Sequence, residues 1–387
     1  MMRRFISLTA SFAMVLALAI VVAAPSMMAY RNAFGDGLFA VVGEGQAAGS
    51  YDTLAEAVNA INESGTASKY TIEVPKDETL SGQLTINADK DVTIKSAGNA
   101  AYTITQNASD RHFRVIGSLT LADIILEGRG LSGGSASNGG VYLLNGSFTM
   151  NSGAIIRKCY NNSGGGVFIQ DGGSLTKVFT MAGGKVCDNY SIYNGGGVYV
   201  GGASKLIMAG DAMIAENSVT ASNGNGGGVY ATIGSIVEMG GDAMISKNKA
   251  FRGGGVDSQG TFAMSGSAII SGNYAAHGGG VSNSDTFTMH GGAISGNGYK
   301  YGSIAGSTYG GGVFNTGIIT INGGVISGNE AEFGGGAFNA STFIMNDGEI
   351  SGNTGSTGAG VFIDGGPRRS TVIIGGTAKM PLVRAWK

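Results

Sequence analysis

The chain has 387 residues, 71 of them glycine, and a formal net charge of −2. The glycines follow no period of three and only four prolines occur, which excludes collagen, and a hydrophobic content of 43% argues against simple disorder. The small net charge offers no basic surface to nucleic acid or an anionic membrane, so we expect no nucleic-acid partner. A repeat protein is the class that remains.

The N-terminal segment has the layout of an export signal. Arg3 and Arg4 precede an apolar stretch from about Phe12 to Ala24, and small residues with a proline follow. We predict a secretory signal peptide over 1–29 and a linker over 30–50. A transmembrane anchor is the alternative, although the apolar core is short for a full span. No second apolar run follows, so we expect a mature chain without a membrane span, secreted or at the cell surface.

Residues 51–137 combine one helical pattern with several strand-like ones. In "YDTLAEAVNAINESG" apolar residues recur at helical spacing, at Leu54, Ala57, Val58 and Ile61. Segments such as "YTIEV" and "SLTLADIILEG" follow. We predict a short amphipathic helix, from 51 to about 62, that caps the open end of a strand stack, with irregular turns of the stack up to residue 137.

Residues 138–366 repeat one phrase, clearest as "GGGVFN" at 310–315 and "GGGAFN" at 334–339. Each unit contains three short apolar segments between Gly/Asn turns, none long enough for a helix. We therefore predict an all-β fold, a right-handed parallel β-helix with coils of about 24 residues, as one domain over 51–387. The residue after the glycines marks each coil: Val141, Val167, Val198, Val229, Val256, Val281, Val313, Ala337 and Val361.

Further columns predict how each coil is filled. Phe287 and Met289 lie two positions apart and should face the core, with Thr288 between them facing outward. A methionine at one position of most coils is typical of core filling rather than of a metal-binding groove. Asparagines such as Asn248 and Asn273 end the third strand, where we expect a left-handed backbone corner and hydrogen bonds from coil to coil. The glycine triplets should turn the next corner.

The C-terminal segment and the two cysteines give weaker signals. Residues 367–387 are interpreted either as a terminal turn with Trp386 as a plug or as a truncated end. Cys159 and Cys187 should lie one coil and two positions apart, at about 8 Å between Cα atoms. We predict that they form no disulfide, because this distance is too long.

The residues that follow the corner valines form the candidate binding surface. Because each valine points inward, its successor should point outward, giving a ladder with a spacing of about 4.8 Å that Asp257 and Ser282 interrupt. Such rings would be a platform for a glycan or an extended cell-surface protein. The alternative is that they merely stack on one another and cover glycine-rich backbone, or lie beneath the inserted loops. The predicted binding residues are Tyr142, Phe168, Tyr199, Tyr230, Phe314, Phe338 and Phe362.

One acidic pair is a candidate metal site. Asp211 and Asp242 occupy the same position of "GDAMI" in adjacent coils, about 5 Å apart, where Ca²⁺ could bridge them. The alternative is an exposed turn residue copied with its repeat, and no other cofactor is indicated. Glu216 and Lys247 should form an ion pair at the surface, which is worth at most about 1 kcal/mol.

Short motifs over about 138–365 resemble those of the chlamydial polymorphic outer-membrane proteins. Gly291–Ile294 reads Gly-Gly-Ala-Ile, and Phe148-x-x-Asn151 and Phe343-x-x-Asn346 match the Phe-x-x-Asn motif. More generally, the chain is similar to exported right-handed β-helix repeat proteins. This resemblance implies a surface protein, often adhesive.

The function expected from the sequence is an exported, non-catalytic β-helix rod, adhesin-like, that binds glycans or surface partners through its outer faces. The alternative is a polysaccharide lyase or hydrolase with a pectin-lyase-like fold. Such enzymes need placed carboxylates or a substitute nucleophile. The sequence shows no Asp-Asp pair, and His112, His277 and His290 fall in different coils.

Overall fold

A computed structural model describes residues 37–43, 47–65, 68–133, 137–172, 177–299, 307–365, 370–380 and 384–385. In these ranges the chain is a parallel β-solenoid with a single α-helix and one 3-10 turn, Gly130–Gly133. The predicted all-β fold and strand stacking are therefore confirmed. The predicted signal peptide and Trp386 lie outside the described residues.

The first row of strands follows the glycine corners and forms a twelve-stranded parallel sheet within the described part of the chain. Its strands are Leu84–Ile86, Phe113–Val115, Val141–Leu143, Val167–Ile169, Val198–Val200, Val229–Ala231, Val256–Ser258, Val281–Asn283, Val313–Asn315, Ala337–Asn339, Val361–Ile363 and Arg384–Ala385. Val313 pairs with Ala337, and Ala337 pairs with Val361. The 24-residue coil is thereby confirmed.

The second and third rows join in one large sheet, because two strands run through both rows without a break. The second row comprises Lys69–Val74, Asp91–Ser96, Ser118–Ala122, Ser147–Met150, Lys177–Met181, Ser204–Met208, Ile236–Met239, Thr261–Met264, Thr286–Met289 and Thr371–Ile374. The third comprises Glu78–Leu80, Tyr102–Gln106, Ile124–Glu127, Ile155–Arg157, Lys185–Cys187, Met213–Ala215, Met244–Ser246, Ile269–Ser271 and Ala293–Ser295. The two continuous strands are Ile318–Ser327 and Thr342–Ser351.

Short strands also lie between the third row and the glycine corner. They are Tyr160–Ser163, Tyr190–Asn194 and Ser218–Val219 in one small sheet, and Glu330–Phe333 and Thr354–Thr357 in another. These segments bring the chain back towards the first row and carry the side chains that flank the candidate site.

The core is built from the predicted columns. Phe287 and Met289 are fully buried, whereas Thr288 between them is half-buried on the outer face, as the alternation predicts. Identical side chains stack along the rod, with ring centroids 4.8 Å apart for Phe148 and Phe179. The methionines fill this core as expected.

Stacked asparagines form a ladder along one inner corner. Asn248 Nδ2 donates to Asn273 Oδ1 at 3.0 Å and to the Ile214 carbonyl at 3.0 Å, and the backbone N–H of Asn248 donates to the same Asn273 Oδ1 at 2.9 Å. The coil-to-coil bonds are confirmed. The ladder comprises Asn189, Asn217, Asn248, Asn273, Asn297, Asn329 and Asn353.

The predicted left-handed conformation is wrong for these asparagines, because the residue before each one adopts it. Lys247 has φ 56°, and glycine takes over this position in later coils. With the left-handed residue placed one position earlier, the asparagine amide points into the core and reaches the asparagine of the next coil. The left-handed residues before the ladder asparagines are Asp188, Glu216, Lys247, Gly272, Gly296, Gly328 and Gly352, and Lys158 holds the same position before Cys159.

The first and third glycines of the triplet have different roles. Gly310 has φ 63°, which an L side chain rarely adopts, and a β-carbon on Gly312 would lie 2.5 Å from the carbonyl oxygen of Gly336. The first glycine therefore makes the turn and the third allows the backbones of neighbouring coils to meet. This confirms the predicted role of the triplets.

The N-terminal end carries α1, Leu54–Glu63, whose buried side chains are the four that the helical spacing predicts. Thr53 Oγ1 accepts from the N–H of Glu56, and Glu56 Oε2 accepts from the N–H of Asp52, which together fix the first turn. Phe39–Gly43 pairs antiparallel with Gly49–Tyr51 and with Lys69–Val74. These two short strands fall in the stretch interpreted as a linker, and the structure places them in the sheet.

Cys159 and Cys187 are both free thiols. The predicted register is confirmed, since Cys187 pairs with Arg157 and the N–H of Cys159 donates to the ladder asparagine Asn189.

Candidate functional site

The residues after the corner valines stack as predicted, and we call this column the inner ladder. Phe168 and Tyr199 have centroids 4.7 Å apart and an interplanar angle of 19°, and Phe314 and Phe338 have centroids 5.3 Å apart. Rings stacked in this way turn their faces towards each other and their edges towards the outside. The stacked parts of the ladder therefore offer ring edges rather than ring faces to a partner.

A second column covers the C-terminal half of the inner ladder. These residues precede the glycine triplets, and we call them the outer column. His277, Tyr309 and Phe333 stack on one another at 5.1 and 5.2 Å. The Tyr309 ring meets Phe338 edge-on at 5.1 Å, and Phe338 is buried. His277 and Phe333 contact Phe314 and Phe362 in the same way.

This cover corrects the predicted external strip, because Phe338 and Phe362 are buried beneath it, whereas Phe314 is half-buried. Tyr230 in the other half is also buried, although the residue before its triplet, Asn225, is polar. The physical reason for the cover is the left-handed first glycine. It folds the chain so sharply that the residue before the triplet lies beside the ladder. Where both residues are aromatic, the outer ring packs edge-on against the inner ring.

The first three rings of the N-terminal half, Tyr142, Phe168 and Tyr199, remain partly accessible, and the outer column beside them is polar. Ser163, Asn194 and Asn225 occupy the positions that histidine, tyrosine and phenylalanine occupy further along. The three rings are half-buried. The sequence signal for this difference lies one residue before each glycine triplet, where the residue changes from polar to aromatic along the chain.

A cleft of about 490 Å³ opens beside the first two rings of the ladder. The Tyr142 ring is tilted by 59° against Phe168, so the face-to-face stack is broken here. The cleft thus combines aromatic surface with amide, hydroxyl and charged groups. Its lining residues are Gln83, Ser109, Asp110, Arg111, Ser137, Tyr142, Asn161, Asn162, Ser163 and Phe168.

Hydrogen bonds fix the rings of the open half. The Tyr142 hydroxyl donates to Gln170 Oε1, and the Tyr199 hydroxyl donates to Asp171 Oδ2 at 2.8 Å. Asp171 also accepts from the Gly202 N–H and from Thr232 Oγ1. Burial and this carboxylate raise the pKa of Tyr199. Tyr199 is therefore neutral, and hydrogen bonds hold both tyrosine rings in place.

A buried polar group interrupts the inner ladder between its two halves. Asp257 is 2% exposed, and its Oδ1 has no hydrogen-bond partner among the described residues. Arg252 Nη2 donates to Ser282 Oγ at 3.1 Å, and its guanidinium lies 5.3 Å from the Phe314 ring centre. Burial raises the pKa of Asp257, against the opposing effects of Arg252 and Ser282.

His112 and Cys159 approach each other in the core but form no catalytic pair. A β-carbon on Gly139 would meet both the Cys159 sulfur and the His112 ring. The N–H of Gly140 donates to His112 Nδ1 at 2.8 Å, which leaves the proton on Nε2, where it is donated to the Ile104 carbonyl at 2.9 Å. Burial lowers the pKa of His112 to about 4 and raises that of Cys159 to about 12. Neither ring nitrogen is free to activate the thiol.

The acidic pair lies where the repeat predicts. Met208 pairs with Met239 and Met213 with Met244, so the turns that hold Asp211 and Asp242 are equivalent, and both side chains are exposed. The described residues contain no group of three or more side chains that could hold a metal ion. Ca²⁺ binding at this pair stays a prediction. Lys247 and Glu216 do form the predicted surface ion pair, at 3.4 Å.

No family model, curated protein or solved structure matches the chain. No helix within the described ranges is both long enough and apolar enough to cross a membrane.

Proposed function

We propose that the protein is an exported, non-catalytic, adhesin-like rod of the cell surface or the surrounding medium. It binds glycans through the open half of the surface formed by the inner ladder and the outer column, which we call the groove. The observation that carries this proposal is the cleft beside Tyr142 and Phe168, where aromatic surface lies next to hydrogen-bonding side chains. Sugars have apolar ring surfaces and many hydroxyl groups, so they need both kinds of contact.

The polar side chains of the cleft suit hydroxyl groups. Gln83, Asn162 and the serines can each donate and accept hydrogen bonds, and Asn162 is exposed. Asn161, in contrast, uses its amide N–H groups on the Gly139 and Gly165 carbonyls and holds the wall in place. A wall that is already ordered loses little conformational entropy when a ligand binds.

Export is supported by the sequence of residues 1–29 and by the resemblance to the chlamydial surface proteins. Binding is favoured over cleavage by the composition of the cleft. Asp110 is the one carboxylate among the described residues that line it, whereas glycoside hydrolysis normally needs two.

Glycan-array binding of the purified chain tests the proposal. Replacing Tyr142 and Phe168 with alanine together should remove binding, while Tyr193→Ala should not, because Tyr193 is 56% exposed and does not line the cleft. Circular dichroism should show that both variants stay folded. Equal binding by the two variants would contradict the proposal. Release of reducing or unsaturated sugar ends would favour the enzyme instead.

A further inference from the structure

Arg111 gives the cleft a positive charge that no neighbouring carboxylate neutralises. Its Nη2 donates to the Ser163 carbonyl at 2.8 Å and its Nη1 to the Val141 carbonyl at 3.4 Å. The guanidinium carbon lies 5.6 Å from the centre of the Phe168 ring. The ion pairs among the described residues do not include Arg111. Neutral carbonyls and a ring thus hold the cation in place without cancelling its charge.

The carboxylates nearby leave this charge uncompensated. Asp110 precedes Arg111 and lines the same cleft, but it is exposed and forms no ion pair with it. Asp171 is engaged by Tyr199, Gly202 and Thr232. Burial removes part of the hydration of the Arg111 cation and thereby lowers its pKa to about 10. An anion that entered the cleft would replace that lost hydration.

We propose that the glycan bound in this cleft carries an anionic group, a carboxylate or a sulfate, which lies against Arg111 while its ring lies against Tyr142 and Phe168. This inference rests on the proposed function and names the chemical class of the ligand. A planar guanidinium is weakly hydrated and matches the geometry of such oxyanions. The aromatic contact and the charge contact come from adjacent side chains of one cleft, so a single sugar unit reaches both.

Calorimetric titration of the full chain with matched sugars separates the charge from the rest of the ligand. The probes are a hexuronic acid hexamer, the same hexamer with its carboxyls methyl-esterified, and a sulfated neutral hexamer. The acid should bind at least about tenfold more tightly than its ester, and the difference should shrink as salt is added. Whichever anionic hexamer binds more tightly identifies the anion.

The two claims fail in different ways. Equal affinity for the acid and the ester, with the sulfated hexamer no tighter, would overturn the anionic preference and leave glycan binding in place. Absence of binding to every probe and to a glycan array would remove both.

Three variants test whether Arg111 is responsible. Arg111→Gln should reduce the preference for acid over ester to near one, and Arg111→Lys should retain part of it, with melting temperatures recorded because Arg111 also bonds the backbone. Asp110→Asn removes a negative charge that would repel the anionic ligand, and the Asp110 side chain makes no hydrogen bond or ion pair among the described residues. This variant should raise the preference for acid over ester by about threefold. If neither Arg111→Gln nor Asp110→Asn changes the preference, the assignment is overturned.

Discussion

The buried asparagines show how single side chains fix the stacking of coils. Asn248 Oδ1 accepts from both the side-chain and the backbone N–H of Asn217, at 2.9 Å each, and Asn248 donates in the same way to Asn273. Every buried amide of the ladder is therefore bonded to its neighbours. A buried polar group that loses its partner destabilises the fold more than the bond itself contributes.

Asn248→Ala should lower the free energy of unfolding by about 3 kcal/mol, because two buried donors of Asn217 lose their acceptor. Thermal or urea unfolding measures the change. The matched control is Asn346→Ala, which removes an exposed bond between two asparagine side chains, Asn346 to Asn322, and should cost under about 1 kcal/mol. Similar losses in both variants would mean that burial of the ladder does not determine its contribution.

Asp257 should make stability depend on pH. Burial raises its pKa above the ordinary value of 3.8, although Arg252 and Ser282 oppose this. The folded protein then keeps the proton in a range where the unfolded chain has lost it, so the free energy of unfolding falls as pH rises from about 4 through the raised pKa.

Asp257→Asn should remove this fall and give a higher melting temperature than wild type at pH 7, since no charge is then buried. Melting curves at half-unit steps from pH 4 to pH 8 measure it. Parallel pH profiles for the two proteins would show that Asp257 is not the titrating group.

At the scale of the element, the corner before each ladder asparagine is a left-handed position that the chain fills in two ways. Asp188, Glu216 and Lys247 adopt it at a cost, as does Lys158 before Cys159, and later coils use glycine. A non-glycine residue in this conformation costs about 1 to 2 kcal/mol.

Lys247→Gly should therefore raise the free energy of unfolding by about 1 kcal/mol, because the lost ion pair with Glu216 is exposed on both sides and contributes little. The reverse change, Gly272→Lys, should destabilise the fold by a similar amount, since space is available and only the backbone is strained. Urea denaturation of the two variants, with Lys247→Gln as the charge control, measures both effects. Stabilisation by Lys247→Gln alone would point to charge rather than backbone.

The strand rows and their register could be predicted from the sequence because each coil repeats the same inward positions, as at Phe287 and Met289. The conformation at the corners could not be predicted. Lys247 and Asn248 are adjacent, and the pattern of side chains does not show which of the two has the left-handed backbone. The cover over Phe338 was also missed, because it depends on how sharply Gly310 brings Tyr309 back onto the ladder. The role of α1 as a cap stays a prediction.

At the scale of the whole molecule, one repeat supplies both a core and an outer groove. The core demands apolar side chains in every coil, so Phe287→Asp should unfold the central coils, whereas Thr288→Asp on the outer face should be tolerated. Thermal melts followed by circular dichroism compare the two. Equal losses would contradict the alternation of inner and outer positions.

The groove, in contrast, differs along the rod because its outer column changes from serine and asparagine to histidine, tyrosine and phenylalanine. Aromatic residues in the outer column cover most of the C-terminal half, whereas polar residues there leave Tyr142, Phe168 and Tyr199 partly accessible. We therefore propose that the ligand binds in the open half, next to Arg111, and that the covered half contributes to stability.

Hydrogen–deuterium exchange of the full chain with and without a saturating oligosaccharide tests this placement most directly. Added protection should appear in the segments that line the cleft, 109–111, 137–142 and 161–168, and exchange should stay unchanged around Tyr309 and Phe338. Protection centred on Tyr309 and Phe338, or spread evenly over the rod with none at the cleft, would contradict the account.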